Sequence, residues 1–251
     1  MVGRGKDNEM DEKRDPTTEH PVAVITGGSQ GLGRALATAL ADRGWHLVID
    51  ARRADRLDNA VADLRGHTRV RGIAGDVTDA GHRQDLAAAA AELGGPVRLL
   101  VNNASTLGAS PLPSLDSVRP EVLERAWAVN VAAPVSLTAT LLPALGAGGT
   151  VINITSDAAV EAYEGWGVYG ATKAALEHVS RVLAAEHPEL RVLAVDPGDL
   201  RTEMHQDAFP GEDISDRPAP DEAVPGLMAL VEGDQPSGRY AVADVVVPVV
   251  S

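Results

Sequence analysis

Apolar residues in this chain fall into short continuous runs separated by stretches with helical spacing. The run at 22–26, Val-Ala-Val-Ile-Thr, stops at a cluster of glycines and predicts a buried strand. After it, Leu32, Leu36 and Leu40 recur every four residues, which predicts a helix over 31–43. The same alternation continues down the chain. Strands are expected at 46–49, 70–74, 97–101, 150–154, 191–195 and 240–247, with helices at 54–64, 79–93, 119–142, 168–186 and 221–232. Pro134 and Pro143 would bend or end the long helix, because proline removes a backbone donor. Regular strand–helix alternation predicts an α/β protein: a single doubly wound Rossmann domain, with a mostly parallel seven-stranded sheet flanked by helices.

Composition narrows the picture. A chain of 251 residues with 44% hydrophobic content is enough for one such domain, placed at 21–251. Residues 1–20 carry six acids, four bases and almost no apolar side chains, so a flexible polar tail is expected there. The tail lacks the apolar stretch of a secretory signal, which makes the expected location cytoplasmic. No continuous apolar run approaches the ~20 residues of a membrane span, and no membrane partner is expected. Absence of cysteine excludes disulfides, thiolate metal sites and a cysteine nucleophile, and no metal site is expected. The formal charge of -14 argues against nucleic acid as a partner, since phosphate binding needs a basic surface. Much of that charge sits at 199–222, where eight acids face two bases among several prolines. A loop of that length in a compact domain suggests a lid over a substrate site; a merely solvated acidic loop is the alternative.

Candidate chemistry begins at the first strand–helix junction, Thr26-Gly27-Gly28-Ser29-Gln30-Gly31-Leu32-Gly33. Glycines there let the backbone turn sharply and approach a pyrophosphate resting on the helix N-terminus. The second strand runs into Asp50-Ala51-Arg52-Arg53. An acid at this place would bind the ribose hydroxyls of NAD, whereas an arginine would pair with the 2′-phosphate of NADP. Periodicity alone leaves open which of them faces the ribose.

A second cluster lies further on. The chain has three lysines, Lys6, Lys13 and Lys173, and only Lys173 falls in the folded part, within Tyr169-Gly170-Ala171-Thr172-Lys173. Spacing i, i+4 places both side chains on one helix face. An ammonium beside a phenol favours the phenolate and would lower a pKa that is ~10 unperturbed, making Tyr169 usable as an acid or base. Ser156 follows the fifth strand and Asn102-Asn103-Ala104 the fourth, both at the carboxyl end of a parallel sheet, where ligands bind. Asn130 lies in an apolar helical stretch, where a buried amide needs partners. Trp166, Tyr163, Asp157, Gly198 and the 199–222 loop are candidate walls of a substrate pocket.

Taken together these residues resemble the short-chain dehydrogenase/reductase family. The glycine turn matches its TGxxxGxG motif and Asn102-Asn103-Ala104 its NNAG motif, with Ser105 replacing the glycine. Asn130, Ser156, Tyr169-x3-Lys173 and Pro197-Gly198 follow in the family's order. The resemblance implies an oxidoreductase moving a hydride between a nicotinamide cofactor and a carbonyl or secondary-alcohol substrate. It implies Tyr169 as proton donor or acceptor, and Lys173 lowering its pKa and holding the nicotinamide ribose. Ser156 would bind the substrate oxygen and Asn130 hold a water linking Lys173 to solvent. Cofactor contacts are implied at Gly27, Ser29, Gln30, Gly31, Leu32, Gly33, Arg52, Arg53, Asp76, Val77, Asn103, Ala104, Tyr169, Lys173, Pro197, Gly198 and Thr202. The family's alignment puts its NAD-selecting acid at Ala51 and its NADP-selecting base at Arg52, so NADP is expected and NAD stays possible. Against this, Ser29-Gln30 lacks the basic residue many NADP members carry in the turn. A small-molecule substrate and a homodimer or homotetramer are the implied partners. The C-terminal stretch lacks the family's aspartate-glycine-glycine ending. Other expectations from the same fold are a non-catalytic nucleotide-sensing or scaffold protein, or an epimerase or dehydratase using the cofactor transiently.

Overall fold

A computed structural model of the chain describes residues 20–247. The expected tail therefore lies, but for its last residue, outside the described residues. Seven strands, β1 Val22–Ile25, β2 His46–Ala51, β3 Val70–Ala74, β4 Val97–Asn102, β5 Thr150–Ile154, β6 Arg191–Asp196 and β7 Gly238–Ala241, form one sheet in the order β3-β2-β1-β4-β5-β6-β7. Every neighbouring pair is parallel. Strand order reverses between β1 and β4, and the crevice at that point lies outside the strands' carboxyl ends.

The strands between the two edge strands bury both faces, as their unbroken apolar runs require. Ala23 and Ile25 of β1, Leu47 and Ile49 of β2 and Val101 of β4 pack against α1 Gly31–Asp42, α2 Ala54–Leu64 and α8 Val224–Glu232. The alternate residues Val22, Val24, Val48, Leu100, Val151 and Val192 face α3 Ala80–Glu92 and α5 Ala133–Leu145. Period-2 alternation thus separates two cores rather than core from solvent.

The long helix expected at 119–142 is a composite. It consists of α4 Pro120–Trp127, one π-helical turn at Ala128–Ala132, and α5. Pro134 follows directly on the π-helical turn inside the continuous run and does not end it. Pro143 is absorbed near the end of α5. The 26-residue run is long and apolar enough to cross a membrane by composition (mean hydropathy 1.5), and half of its most apolar window is buried within the fold.

Two further boundaries are corrected, those of the last strand and of the last helix. The last strand is Gly238–Ala241, not 240–247, because the chain turns into a 3-10 segment at Val242–Asp244. Within 199–222 a short helix forms, α7 Glu203–Ala208, begun by Thr202, whose hydroxyl accepts from the His205 N–H. The expected helix at 221–232 opens instead with a 3-10 turn, Pro220–Ala223. The long helix α6 Gly167–Glu186 carries the Tyr169–Lys173 pair.

Candidate active site

The glycine turn is held from beneath. Gly27, at φ +67°, donates its N–H to Asp50 Oδ1 at 2.6 Å. A Cβ on Gly33 would stand 2.5 Å from the Gly27 carbonyl oxygen and 2.6 Å from Asn103 Nδ2, so α1 can approach the turn only without a side chain there. Asn103 donates its amide to the carbonyls of Thr26 and Gly27, and the Thr26 hydroxyl accepts from the Asn103 and Ala104 N–H groups. The turn is therefore laced to the end of β4.

Asp50 borders the cleft, but its carboxylate is committed elsewhere. It is 1% exposed, and its second oxygen lies 2.8 Å from His82 Nε2 on α3. Both carboxylate oxygens are thus occupied under the turn. That resolves what periodicity left open: Ala51, Arg52 and Arg53 stand at the mouth, and Arg52 makes no ion pair among the described residues. Arg53 is paired with Asp55 at 2.8 Å.

A cleft of about 880 Å³ runs over the strands' carboxyl ends. Of the residues expected at the cofactor, Gly27, Ser29, Gln30, Gly31, Leu32, Arg52, Arg53, Asp76, Val77, Asn103, Ala104, Tyr169, Lys173, Pro197, Gly198 and Thr202 line it. Gly33 sits behind the turn and does not. Asp76 is committed by its side chain to Thr78 and to Arg125 at 2.7 Å. Partial burial works to raise that carboxyl, and the bonds from Arg125 and Thr78 overcome it, holding it at about 2.

At the other end of the cleft stand Ser156, Trp166, Tyr169, Lys173 and Asp196. Tyr169 is 8% exposed and packs with Leu107, Ala158 and Ala208, and Trp166 meets its ring edge-on at 5.7 Å. Lys173 is 2% exposed, donates from Nζ to the Ile154 carbonyl at 2.8 Å, and lies 5.3 Å from the Tyr169 ring centroid. The two share one helix face, as spacing predicts. Their electrostatics differ from the expectation. Burial drives the Tyr169 phenol above its ordinary range, Asp196 and Asp157 add to this, and the Ser105 and Ser156 hydroxyls only partly oppose it. Burial likewise pushes Lys173 down to about 7, which halves its charge near neutrality and weakens its hold on the phenol.

Ser156 donates to Asp157 Oδ1 at 2.9 Å, and Tyr163 donates to Asp157 Oδ2 at 2.9 Å. Tyr163 and Asp157 therefore stand behind Ser156 and do not line the cleft; Trp166 and Gly198 do. Asn130 is carried by the π turn, 1% exposed, with its amide fully used. It donates to the Thr106 carbonyl and the Thr172 hydroxyl and accepts from Ser105 and the Thr106 N–H. Its side chain thus fixes the loop after β4 to α6.

Some participants carried no local signal. Arg239 of β7 donates to Glu177 and Asp196 and reaches the Ser156 carbonyl. Burial pushes the Asp196 carboxyl up, opposed by the Gly198 N–H and the Arg239 charge. Arg56 and Glu203 also line the mouth. Arg56 lies in the first turn of α2, four positions after Arg52; Glu203 is 147 residues away and could not be paired by pattern.

Comparison with known proteins agrees with this geometry. The family described as short chain dehydrogenase matches residues 21–213. The sepiapterin reductase of Meriones unguiculatus is 40% identical over 200 residues, covering 74% of this chain and 76% of that one. The dehydrogenase/reductase SDR family member 4 of Bos taurus is 35% identical over 196 residues, covering 76% and 69%. Among solved structures, an alcohol dehydrogenase from Thermococcus sibiricus complexed with 5-hydroxy-NADP superposes with a TM-score of 0.78 at 26% identity, covering 89% of this chain and 96% of that one. The chain belongs to the short chain dehydrogenase family and is an NAD(P)-dependent oxidoreductase of that family.

Proposed function

We propose that this protein is an NADP(H)-dependent carbonyl reductase of small molecules, with Tyr169 as the acid that protonates the carbonyl oxygen. The observation that carries this reading is the convergence of Tyr169, Ser156 and Lys173 at one end of a cleft whose other end is a glycine turn. The residues suit a dinucleotide. Gly33 lets α1 close on the Gly27 carbonyl and so keeps the turn tight against the helix N-terminus, and Arg52, which makes no ion pair among the described residues, stands beside Ala51, where an acid selecting NAD would otherwise stand. Gly27, Ser29, Gln30, Gly31 and Leu32 would hold the pyrophosphate, Arg52 and Arg53 the 2′-phosphate, and Asp76, Val77 and Ala104 the adenosine. Pro197, Gly198, Thr202 and Lys173 would hold the nicotinamide half. Bound there, the nicotinamide supplies or accepts the hydride; the protein orients and polarises.

The chain's own part is proton and charge management. Burial raises the Tyr169 phenol, so the residue enters the reaction protonated, the form that the acid in reduction needs. The Ser156 hydroxyl exchanges Asp157 for the substrate oxygen and steadies charge developing there. Lys173, partly charged near neutrality, stabilises the phenolate left after donation. Asn130 positions Ser105, Thr106 and Thr172 around that end of the cleft and does so without contacting substrate. The resemblance to a sepiapterin reductase supports a carbonyl substrate, and the acidic loop disfavours a strongly anionic one. Exposed Leu123 and Trp127 on α4, with Val182 on α6, support a dimer through those helices.

The test is Tyr169→Phe, assayed by NADPH consumption with a panel of ketones and aldehydes. The ring and its packing stay, so the variant should fold and bind NADPH while turnover falls at least ~100-fold, the low end for general acid catalysis. An unchanged rate would remove Tyr169 from the chemistry.

A further inference from the structure

At the mouth of the cleft three elements meet through one guanidinium. Arg56 of α2 binds Glu203 of α7 with two bonds, Nη1 to Oε2 at 2.6 Å and Nη2 to Oε1 at 3.2 Å. The same Nη1 donates to the side-chain carbonyl of Gln30 in the glycine turn. Gln30 in turn donates from Nε2 to Glu203 Oε2 at 2.7 Å. The three side chains close a ring of hydrogen bonds across the lip, and all three line the cleft.

We propose that Arg56 is a further cation of the site for the adenosine 2′-phosphate, beyond Arg52 and Arg53, held at the glycine turn by Gln30 and contested by Glu203 of the substrate loop. This rests on the NADP reading above and extends it. The glycine turn lacks a basic residue of its own, and the structure shows a positive charge brought to that place from α2. Arg52 makes no ion pair among the described residues, Arg53 is neutralised by Asp55, and Arg56 is neutralised by Glu203. A phosphate with nearly two negative charges is a stronger partner for a guanidinium than one carboxylate. It would take Arg56 from Glu203, or share it. The bond from Arg56, supported by Gln30, already holds the Glu203 carboxyl at about 2, so the competitor is charged at any working pH. Since Glu203 opens α7 directly after Thr202, the same exchange ties 2′-phosphate binding to the segment that covers the substrate end of the cleft. NADP and NAD would then differ in how they leave that segment, as well as in affinity.

Direct titration of the full chain with NADPH and NADH tests this, using wild type, Arg52→Ala, Arg56→Met, Arg56→Lys and Glu203→Gln. Losing one charge-assisted contact should weaken NADPH binding by Arg56→Met roughly tenfold or more and leave NADH within about twofold. Arg56→Lys should recover part of the loss, because a point charge remains but the fork does not. Glu203→Gln should tighten NADPH several-fold or so, with NADH unchanged, and the gain should shrink at high salt. If Arg52→Ala abolishes NADPH preference while Arg56→Met leaves the NADPH-to-NADH ratio intact, the NADP reading stands and the role of Arg56 falls. Equal loss of both nucleotides in Arg56→Met, or weaker NADPH binding in Glu203→Gln, would likewise make the ring a structural latch and overturn the proposal. A wild type without NADPH preference would overturn both readings.

Discussion

Asp50 separates a support of the glycine turn from a reader of the ribose, and substitution there gives distinct results for each. Its carboxylate holds the Gly27 N–H at 2.6 Å and His82 Nε2 at 2.8 Å with 1% exposure. Asp50→Ala strands a backbone donor and an imidazole inside the protein. Each orphaned group costs about 1–3 kcal/mol, so a total near 3–5 kcal/mol is expected, in the range for breaking a buried pair. That is a large part of a typical stability of roughly 5–15 kcal/mol. Asp50→Asn keeps the shape. Its oxygen can still accept from Gly27 and its amide can donate to His82 Nε2 if the imidazole presents a lone pair there. Only the charge assistance goes, at about 1 kcal/mol. Urea unfolding of both variants, with His82→Ala and the double variant, would measure the pair, and the cycle should show coupling of about 0.5–3 kcal/mol. The NADPH-to-NADH affinity ratio should not move in Asp50→Asn. A variant of unaltered stability whose ratio swings toward NADPH would show that Asp50 touches the ribose after all.

Other perturbations separate structural from chemical roles. Asn130→Ala should lose about 2–4 kcal/mol in chemical denaturation as well as activity, because it strands the Thr106 N–H and frees the loop after β4, whereas Tyr169→Phe should lose activity alone. Gly33→Ala should fold with a displaced turn and bind both nucleotides at least ~10-fold more weakly in titrations, since its Cβ meets the Gly27 carbonyl. Lys173, held at about 7 from an ordinary 10.5, binds its proton less readily folded than unfolded between those values. Stability therefore rises with pH through that window and carries the full penalty below it, about 5 kcal/mol. Lys173→Met should accordingly raise Tm most near pH 6, with the gain shrinking toward pH 10, while turnover falls; a gain independent of pH would show that the lysine is not burdened by burial. Oxidative turnover should climb with pH across 7–10 and reductive turnover should not, because burial keeps the Tyr169 proton in place.

The fold was legible because its signals are local. Strand runs such as Val22–Ile25 and the fourfold leucine spacing of α1 follow from burial on a sheet and on a helix face. Boundaries failed where tertiary contacts decide. The π turn at Ala128–Ala132 carries Asn130, and its sequence, Ala-Val-Asn-Val-Ala, looks like any apolar helix. The turn becomes intelligible only once Asn130 is seen bound to Thr106 and Thr172, 24 and 42 residues away. β7 ends early because Val242 packs back toward α8, where it approaches Gly226. The site was legible to the same depth. Motif residues were readable as a set, yet the question of Asp50 against Arg52 needed His82, 32 positions on, to claim the acid. Gly75 marks that approach in hindsight, since any side chain there would strike the His82 ring.

The electrostatics invert the simplest reading of the Tyr–Lys pair. Spacing puts an ammonium beside a phenol, and in water that would acidify the phenol. Inside this cleft both groups are buried, and desolvation opposes charge on each. A neutral phenol beside a lysine near its own midpoint is a weak acid, and it keeps its proton until the reacting carbonyl oxygen takes on charge. When the phenol gives up its proton, the resulting phenolate and the lysine charge stabilise each other, so the pair's attraction is largest after transfer rather than before. Interactions of that kind accelerate a step, because they are stronger in the transition state than in the ground state. Arg239 works in the same direction by countering Asp196, the carboxylate that most opposes a forming phenolate. The C-terminal strand that departs from the family's usual ending thereby supplies a charge to the chemistry at the other end of the sheet's β5–β6–β7 edge.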